Sequence, residues 1–261
     1  MASSKKKKNI PSIVRFIIQV GFFIFFPSVY SGAFAGVKYI FTQLGGSQSI
    51  DLTIFVTMLI TVCAYTIVFG RFFCGFACAF GSLGDWVYAI HAWIAKKMKR
   101  RPHTIPDKAM QLLGNAKYIV LALIAILCYK GIYGGLHGTS PWDVFAQIRG
   151  GDPHLAGYEI GAVLLVLVLI GMFFRERFFC RVFCPMGAVF SILPVLPFFT
   201  LKRNRENCIP GCSACTKKCP SDIGLPEDGD ISVSSDCFQC QKCIGTCPKK
   251  NIHCGIKTIR G

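Results

Sequence analysis

The sequence predicts an α-helical membrane protein: four transmembrane helices arranged as two hairpins of a parallel repeat, followed by a C-terminal cytoplasmic two-cluster ferredoxin-like domain. Three observations carry this. The 261 residues are 52% hydrophobic, with a mean hydropathy of +0.49, too apolar for a soluble chain. The string Arg71-Phe72-Phe73-Cys74-x3-Cys78-x2-Gly81 returns as Arg177-Phe178-Phe179-Cys180-x3-Cys184-x2-Gly187. Eight of the 15 cysteines crowd the last 54 residues, as Cys208-x3-Cys212-x2-Cys215-x3-Cys219-Pro220 and Cys237-x2-Cys240-x2-Cys243-x3-Cys247-Pro248.

Apolar runs at Ile10–Tyr30, Leu52–Phe69, Tyr118–Tyr133 and Ile160–Phe174 approach the roughly 17–25 residues a helix needs to cross a bilayer. The segment Ala33–Leu44 is shorter and carries Lys38, and reads as an interfacial or re-entrant piece. The basic run Lys5–Lys8 precedes an apolar stretch too long for a signal-peptide core, with no small-residue cleavage site behind it. The first helix is therefore expected to stay as an anchor. Seven basic residues stand between Ala95 and Lys117, whereas Ser31–Ile50 has only Lys38 and Gly134–Tyr158 only Arg149. Cytoplasmic loops retain positive charge during insertion, so both termini are expected on the cytoplasmic side of the inner membrane. Residues 1–201 then form the membrane domain and residues 202–261 the ferredoxin-type domain. Of the +16 net charge, +12 falls in residues 1–201, where topology and snorkelling account for it. No nucleic-acid partner is expected.

The tail spacing fits cubane iron–sulfur clusters. Three thiolates two or three residues apart cap three corners of one cluster, and the fourth, ahead of a proline, reaches the other. Cluster one would take Cys208, Cys212, Cys215 and Cys247; cluster two would take Cys237, Cys240, Cys243 and Cys219. Zinc is the alternative, but structural zinc sites pair their ligands across a long gap, four per ion and often with His. So many thiols need a reducing compartment, which a cytoplasmic face supplies.

Each copy of the repeated string follows an apolar run, as in a parallel repeat about an axis along the membrane normal. A helix continuing through the motif puts cysteines four residues apart on one face. The two-fold partner would then bring Cys74, Cys78, Cys180 and Cys184 into one shared redox site at the inner membrane edge, for a further iron–sulfur cluster or a soft metal. Gly75 and Gly81, and Pro185 and Gly187, suggest a helix break in each copy, tolerated where the freed backbone is enclosed by protein. Reversible disulfides are the rival chemistry, disfavoured on a cytoplasmic face. Cys63 and Cys128, in the middle of apolar runs, read as packing, and Cys254 has no assignment.

With both membrane cysteine pairs and the tandem tail motifs in view, the chain resembles the NapH-type membrane iron–sulfur proteins over nearly its whole length. It is also similar to the C-terminal half of NosR and to CcoG. The resemblance implies four helices, a Cys-x3-Cys-Pro element after the second and fourth, and a cytoplasmic tail with two [4Fe-4S] clusters. It implies an electron-transfer subunit working between the quinol pool, or a cytoplasmic donor, and a partner redox protein: a reductase, flavoprotein or ferredoxin-type subunit. A metal (copper) reductase or oxidase assembly factor like CcoG, and a redox-sensing regulatory membrane protein, are the alternatives. One departure stands out: Cys184-Pro185 follows the pattern, whereas the first copy has Cys78-Ala79, so the turn after Cys78 is expected to differ.

All these sites lie at or below the cytoplasmic edge, yet the hydrocarbon layer is roughly 30 Å thick. The chain has no Cys-x-x-Cys-His string, and none of its five His falls inside an apolar run, which argues against haem. It has no glycine-rich nucleotide fingerprint either. A bound quinone, or a flavin on a partner, is the expected carrier; for a quinone, His137, Trp142, Asp143 and His154 in the outer loop Gly134–Gly157 offer a proton acceptor and an aromatic wall.

Overall fold

The computed structural model describes residues 10–100, 104–136, 139–149, 157–194, 196, 199–203, 208–221, 223, 229–230 and 236–256. Pro27 cannot donate to a helical ladder, so α1 (Ile10–Phe25) ends before it and the chain bends by 61° into α2 (Val29–Gly45). The first apolar run is thus two helices rather than one span to Tyr30. The segment expected at the membrane edge lies inside α2, which packs antiparallel on α3 (Ile54–Phe69). Small residues set that contact: a Cβ on Gly32 would stand 2.7 Å from Met58 Sδ. Thr53 caps α3 by accepting from the Val56 amide at 3.4 Å.

The rest of the first half is α4 (Phe72–Phe76) and α5 (Ala79–Lys97). After α6 (Asp107–Leu113) the pattern returns with α7 (Ala116–Tyr129), α8 (Pro141–Arg149), α9 (Glu159–Phe174), α10 (Phe178–Val182) and α11 (Pro185–Ile192). The repeat visible in sequence is therefore a repeat of elements: a 16-residue apolar helix, a five-residue helix holding the first cysteine, then a helix that starts one residue after the second cysteine. Among the described residues no single helix is long and apolar enough to cross a membrane, while α1 and α2 together meet the criteria for a broken span or re-entrant loop. At ~1.5 Å per residue, α3 and α9 reach only about 24 Å.

The tail is closed by a three-stranded antiparallel sheet in the order β2-β1-β3, made from β1 (Phe199–Arg203), β2 (Gly229–Asp230) and β3 (Ile252–Ile256). β1 runs across the expected boundary at residue 201. Two short helices, α12 (Ala214–Lys217) and α13 (Lys242–Thr246), carry the cysteine motifs and pack on each other. Leu201 and Ile252 make the apolar floor beneath Cys215, Cys237, Cys243 and Cys247.

Candidate redox site

The repeated cysteines do not sit on one continuing helix. In each copy the short helix ends and the second cysteine becomes the N-cap of the next helix, with φ −69° and ψ 123° at Cys78 and φ −71° and ψ 110° at Cys184. These torsions are alike, so the turn expected to differ between Cys78-Ala79 and Cys184-Pro185 does not. An alanine takes the N1 torsions that proline has built in. The Gly187 amide donates to Cys184 Sγ at 3.1 Å, so the free amides of a helix start face that sulfur. Glycine is needed ten residues after each arginine: a Cβ on Gly81 would lie 2.7 Å from the Cys74 carbonyl, and one on Gly187 3.0 Å from the Cys180 carbonyl.

Cys78, Cys180 and Cys184 are buried in one apolar core with Tyr30, Phe34, Phe80, Trp142 and Phe179, and Cys74 packs against it. Burial pushes all four thiols above their ordinary value, Cys78 to about 11, and the nearby thiols Cys78 and Cys184 add to the rise at Cys74. Tyr30 Oη stands 3.5 Å from Cys184 Sγ. Its ring packs on Phe80 at 5.6 Å and on Trp142 at 6.5 Å.

The arginines that open the two strings exchange partners across the repeat. Arg177 Nη2 donates to Asp85 at 2.7 Å and its Nε to the same carboxylate at 3.1 Å, and it also donates to the carbonyls of Cys74 and Gly75. Arg71 donates to Ser191. Asp85 and Ser191 are equivalent positions, each fourteen residues after its own copy's arginine. Asp85 also receives Arg15 at 3.3 Å, Gln19 at 2.9 Å and Lys242 at 3.2 Å. Burial alone would raise Asp85, but Arg177, Lys242 and Arg15 hold it well below the usual carboxylate range.

The tail docks on these arginines through its second motif. Phe238 and Gln239 are buried, and Phe238 lies under the Arg177 guanidinium at 5.3 Å. The Phe238 carbonyl and Cys240 sit directly against Gly75, where a Cβ would collide. Asp236, one residue ahead of Cys237, takes Lys117 at 2.7 Å and Arg71 at 3.5 Å. Lys242, one residue ahead of Cys243, pairs with Asp85 and with Glu176. Burial and Arg15 push Lys242 down to about 8 although Asp85 opposes this. Lys117, the last basic residue of the segment 95–117, thus meets the tail at Asp236.

Within the tail, Cys208, Cys212, Cys215 and Cys247 line one cavity. Burial pushes Cys237 and Cys243 up to about 12, with Cys240 and Cys219 contributing as near neighbours in both cases. Among the described residues no three His, Cys, Asp or Glu close up on a single metal ion. The donor set is thiols alone, gathered in fours. Such crowded thiols stay protonated unless cations offset their charge, and an all-thiol donor set of this kind fits an iron–sulfur cluster, which would be held by cysteine thiolates.

The outer-loop residues separate. His137 and His154 lie outside the described residues. Trp142 is not a solvated loop residue: it is buried, with its ring 5.1 Å from Phe34 and 5.8 Å from Phe179, beside Cys180. Asp143 lines a cavity of about 610 Å³ with Lys38, Tyr39, Tyr133 and Tyr158. Cys128 is buried and Cys63 packs on the same core, while Cys254 is exposed on β3. Sequence reasoning missed Tyr30, Asp85, Asp236 and Lys242. The signal for Asp85 lay in the repeat itself, since extending its alignment past the glycine sets Asp85 against Ser191.

A family model described as a 4Fe-4S binding domain matches residues 51–101 and 160–203. These segments contain all four repeat cysteines and none of the eight in the tail. The chain is 32% identical to an uncharacterised protein of Methanocaldococcus jannaschii over 91% of its own length and 92% of the relative's. It is 26% identical to the YccM protein of Escherichia coli, over 73% of this chain and 52% of YccM. It is 23% identical to the ferredoxin-type protein NapH of Haemophilus influenzae, over 73% of this chain and 64% of NapH. No solved structure matches.

Proposed function

The chain belongs to the 4Fe-4S ferredoxin-type family that includes NapH, and from that premise we propose a membrane-embedded electron-transfer subunit with two cubane clusters in its tail and a further site at Cys74, Cys78, Cys180 and Cys184. The observation that carries the proposal is the seating of Phe238 and Cys240 against Gly75, one residue from Cys74. It supports a tail whose second motif delivers to the repeat cysteines rather than hanging free. The family match over both repeat segments supports iron–sulfur chemistry there as well.

Clusters bound at these thiols supply one-electron carriage, and the chain's own residues supply the setting. Arg177 and Arg71 place fixed positive charge beside the repeat cysteines and hold the Cys74 carbonyl and the Asp236 loop in register. Tyr30, Phe80, Trp142 and Phe179 keep water from the sulfurs. Gly75 lets two backbones meet.

The membrane is read as spanned by the apolar helices with the basic segment 95–117 and the tail inside, supported by the pairing of Lys117 with Asp236. Reporter fusions after Lys108 and after Ile256 should both report cytoplasm, and one after Gly151 the outside; an external Lys108 overturns the orientation. The carrier toward the outer end is read as a quinone in the cavity of Lys38, Tyr133 and Asp143, supported by Trp142, next to Asp143 in that loop, whose ring packs on Phe179. The decisive measurement is anaerobic iron and sulfide analysis of the full chain with EPR of the reduced protein. About eight iron atoms in tail-type cubanes, plus a further signal lost with the repeat cysteines, is the expected result. Zinc without labile sulfide would end the proposal.

A further inference from the structure

The backbone treats the two copies of the repeat alike, and the side chains around them do not. The amides of Phe80 and Gly81 reach Cys78, and those of Met186 and Gly187, at the equivalent positions, reach Cys184. In both copies these amides belong to the first turn of the helix that the cysteine caps. Cys184 takes one group more: the Tyr30 hydroxyl, with Oη 3.5 Å from Sγ. Among the described residues no side chain hydrogen-bonds Cys78 in this way. Tyr30 lies outside both copies and meets the second because the chain bends by 61° between α1 and α2.

Tyr30 is 4% exposed, and its ring centroid lies 6.5 Å from those of Phe34 and Trp142 and 5.6 Å from that of Phe80. A phenylalanine would fill that wall as well, so the hydroxyl needs a reason of its own. Burying a hydroxyl among apolar groups costs about 1–3 kcal/mol unless it is bonded. A neutral thiol is a weak acceptor and offsets little of this cost. A thiolate offsets it, because a hydrogen bond to a charged group is worth about 1.5–3 kcal/mol. A ligating thiolate has no proton to give, so Tyr30 is then the donor.

We propose that Tyr30 is a positioning residue of the repeat-cysteine site: its hydroxyl donates to the Cys184 thiolate, raises the reduction potential of a cluster held there, and favours added charge on the second-copy side. Hydrogen bonds to ligand sulfurs stabilise the more negative, reduced state. Reduction adds one electron and breaks no bond, and the proton stays on the Tyr30 oxygen. The inference rests on the iron–sulfur reading of Cys74, Cys78, Cys180 and Cys184 above and adds the residue that sets the potential and makes the paired site asymmetric.

The test uses the full chain in detergent, assembled anaerobically and titrated with dithionite while EPR follows the signal that the four-serine variant of these cysteines lacks. Tyr30→Phe keeps the ring and removes the donor. At the wild-type midpoint its repeat site should be about threefold to tenfold more oxidised, as part of a charge-assisted hydrogen bond predicts, while the tail clusters titrate unchanged. Tyr30→3-fluorotyrosine, a stronger donor of the same shape, should shift the ratio the other way. A deuteron exchanged from solvent and coupled to the reduced site should be present in the wild type and lost in Tyr30→Phe. Midpoints unmoved by both replacements, or moved in the same direction by both, overturn the proposal. If Tyr30→Phe loses iron at the repeat site, the fluorotyrosine chain decides: a midpoint above the wild type supports the proposal, and an unmoved one overturns it. A wild-type chain with tail cubanes and no further signal defeats the reading on which the inference rests, whereas a further signal that ignores both replacements defeats the inference alone.

Discussion

Arg177 and Asp85 lie ninety-two residues apart in the chain and form a buried, two-point ion pair, with Nη2 at 2.7 Å and Nε at 3.1 Å from the carboxylate. The pair is half of an exchange whose other half is Arg71 on Ser191. The two halves differ in chemistry. The carboxylate gathers Arg15, Gln19 and Lys242 as well, so the first copy becomes the anchor for α1 and for the tail, which the hydroxyl of Ser191 cannot be.

Replacing Asp85 by Ala should therefore cost far more than replacing Ser191 by Ala. Removing one partner of a buried pair leaves uncompensated charge, at about 3–5 kcal/mol, whereas Arg71 would lose a neutral acceptor and keep Asp236, at about 1–3 kcal/mol. Denaturant unfolding of the two variants checks the ranking, and equal losses would mean that the exchange is not the anchor.

The acid limit of stability should trace to the same group. Asp85 and Asp236 are held below the ordinary carboxylate value, Asp85 strongly. Their stabilisation is complete above the unfolded carboxylate pKa, about 4, and is lost as pH falls from there toward the folded values. Lys242 has a slope of the same sign in a higher window: its folded value of about 8 lies below the ordinary 10.5, so stability rises as pH climbs between them. Unfolding followed across pH should show a shallower acid limb in D85N and a flatter alkaline rise in K242M.

Gly75→Val should loosen the tail without removing its ligands. The new side chain would meet the Phe238 carbonyl and the Cys240 backbone. Overpacking of this kind costs ~1–3 kcal/mol, or about five- to hundredfold faster local exchange. Hydrogen exchange at Phe238–Cys240 reads it, and iron content should be unchanged. Exchange as slow as in the wild type would place the tail elsewhere.

Cys180→Ser should abolish reduction of the partner while leaving the EPR signals of the tail clusters in place. A four-serine variant at Cys74, Cys78, Cys180 and Cys184 that keeps its metal content and the wild-type rate would reduce these residues to packing.

How much of this was legible in one dimension follows from the range of each interaction. Cysteine spacing of two or three residues is a local property, fixed by the chain itself, so the tandem tail motifs, the duplicated Arg-Phe-Phe-Cys string and the helices that precede it could be read directly. Sequence could not say that α2 rather than a straight first helix lies on α3, because both segments are apolar and only the fit of Gly32 and Gly36 against Met58 and Phe55 selects between them. It could not say that Trp142 turns inward onto Phe179, or that Tyr30 meets Cys184, since neither carries a periodic signal. Nor could it pair Arg177 with Asp85. That choice is made only when two copies of a repeat face each other and each buried guanidinium must find, in the opposite copy, the acceptor that its own helix cannot present.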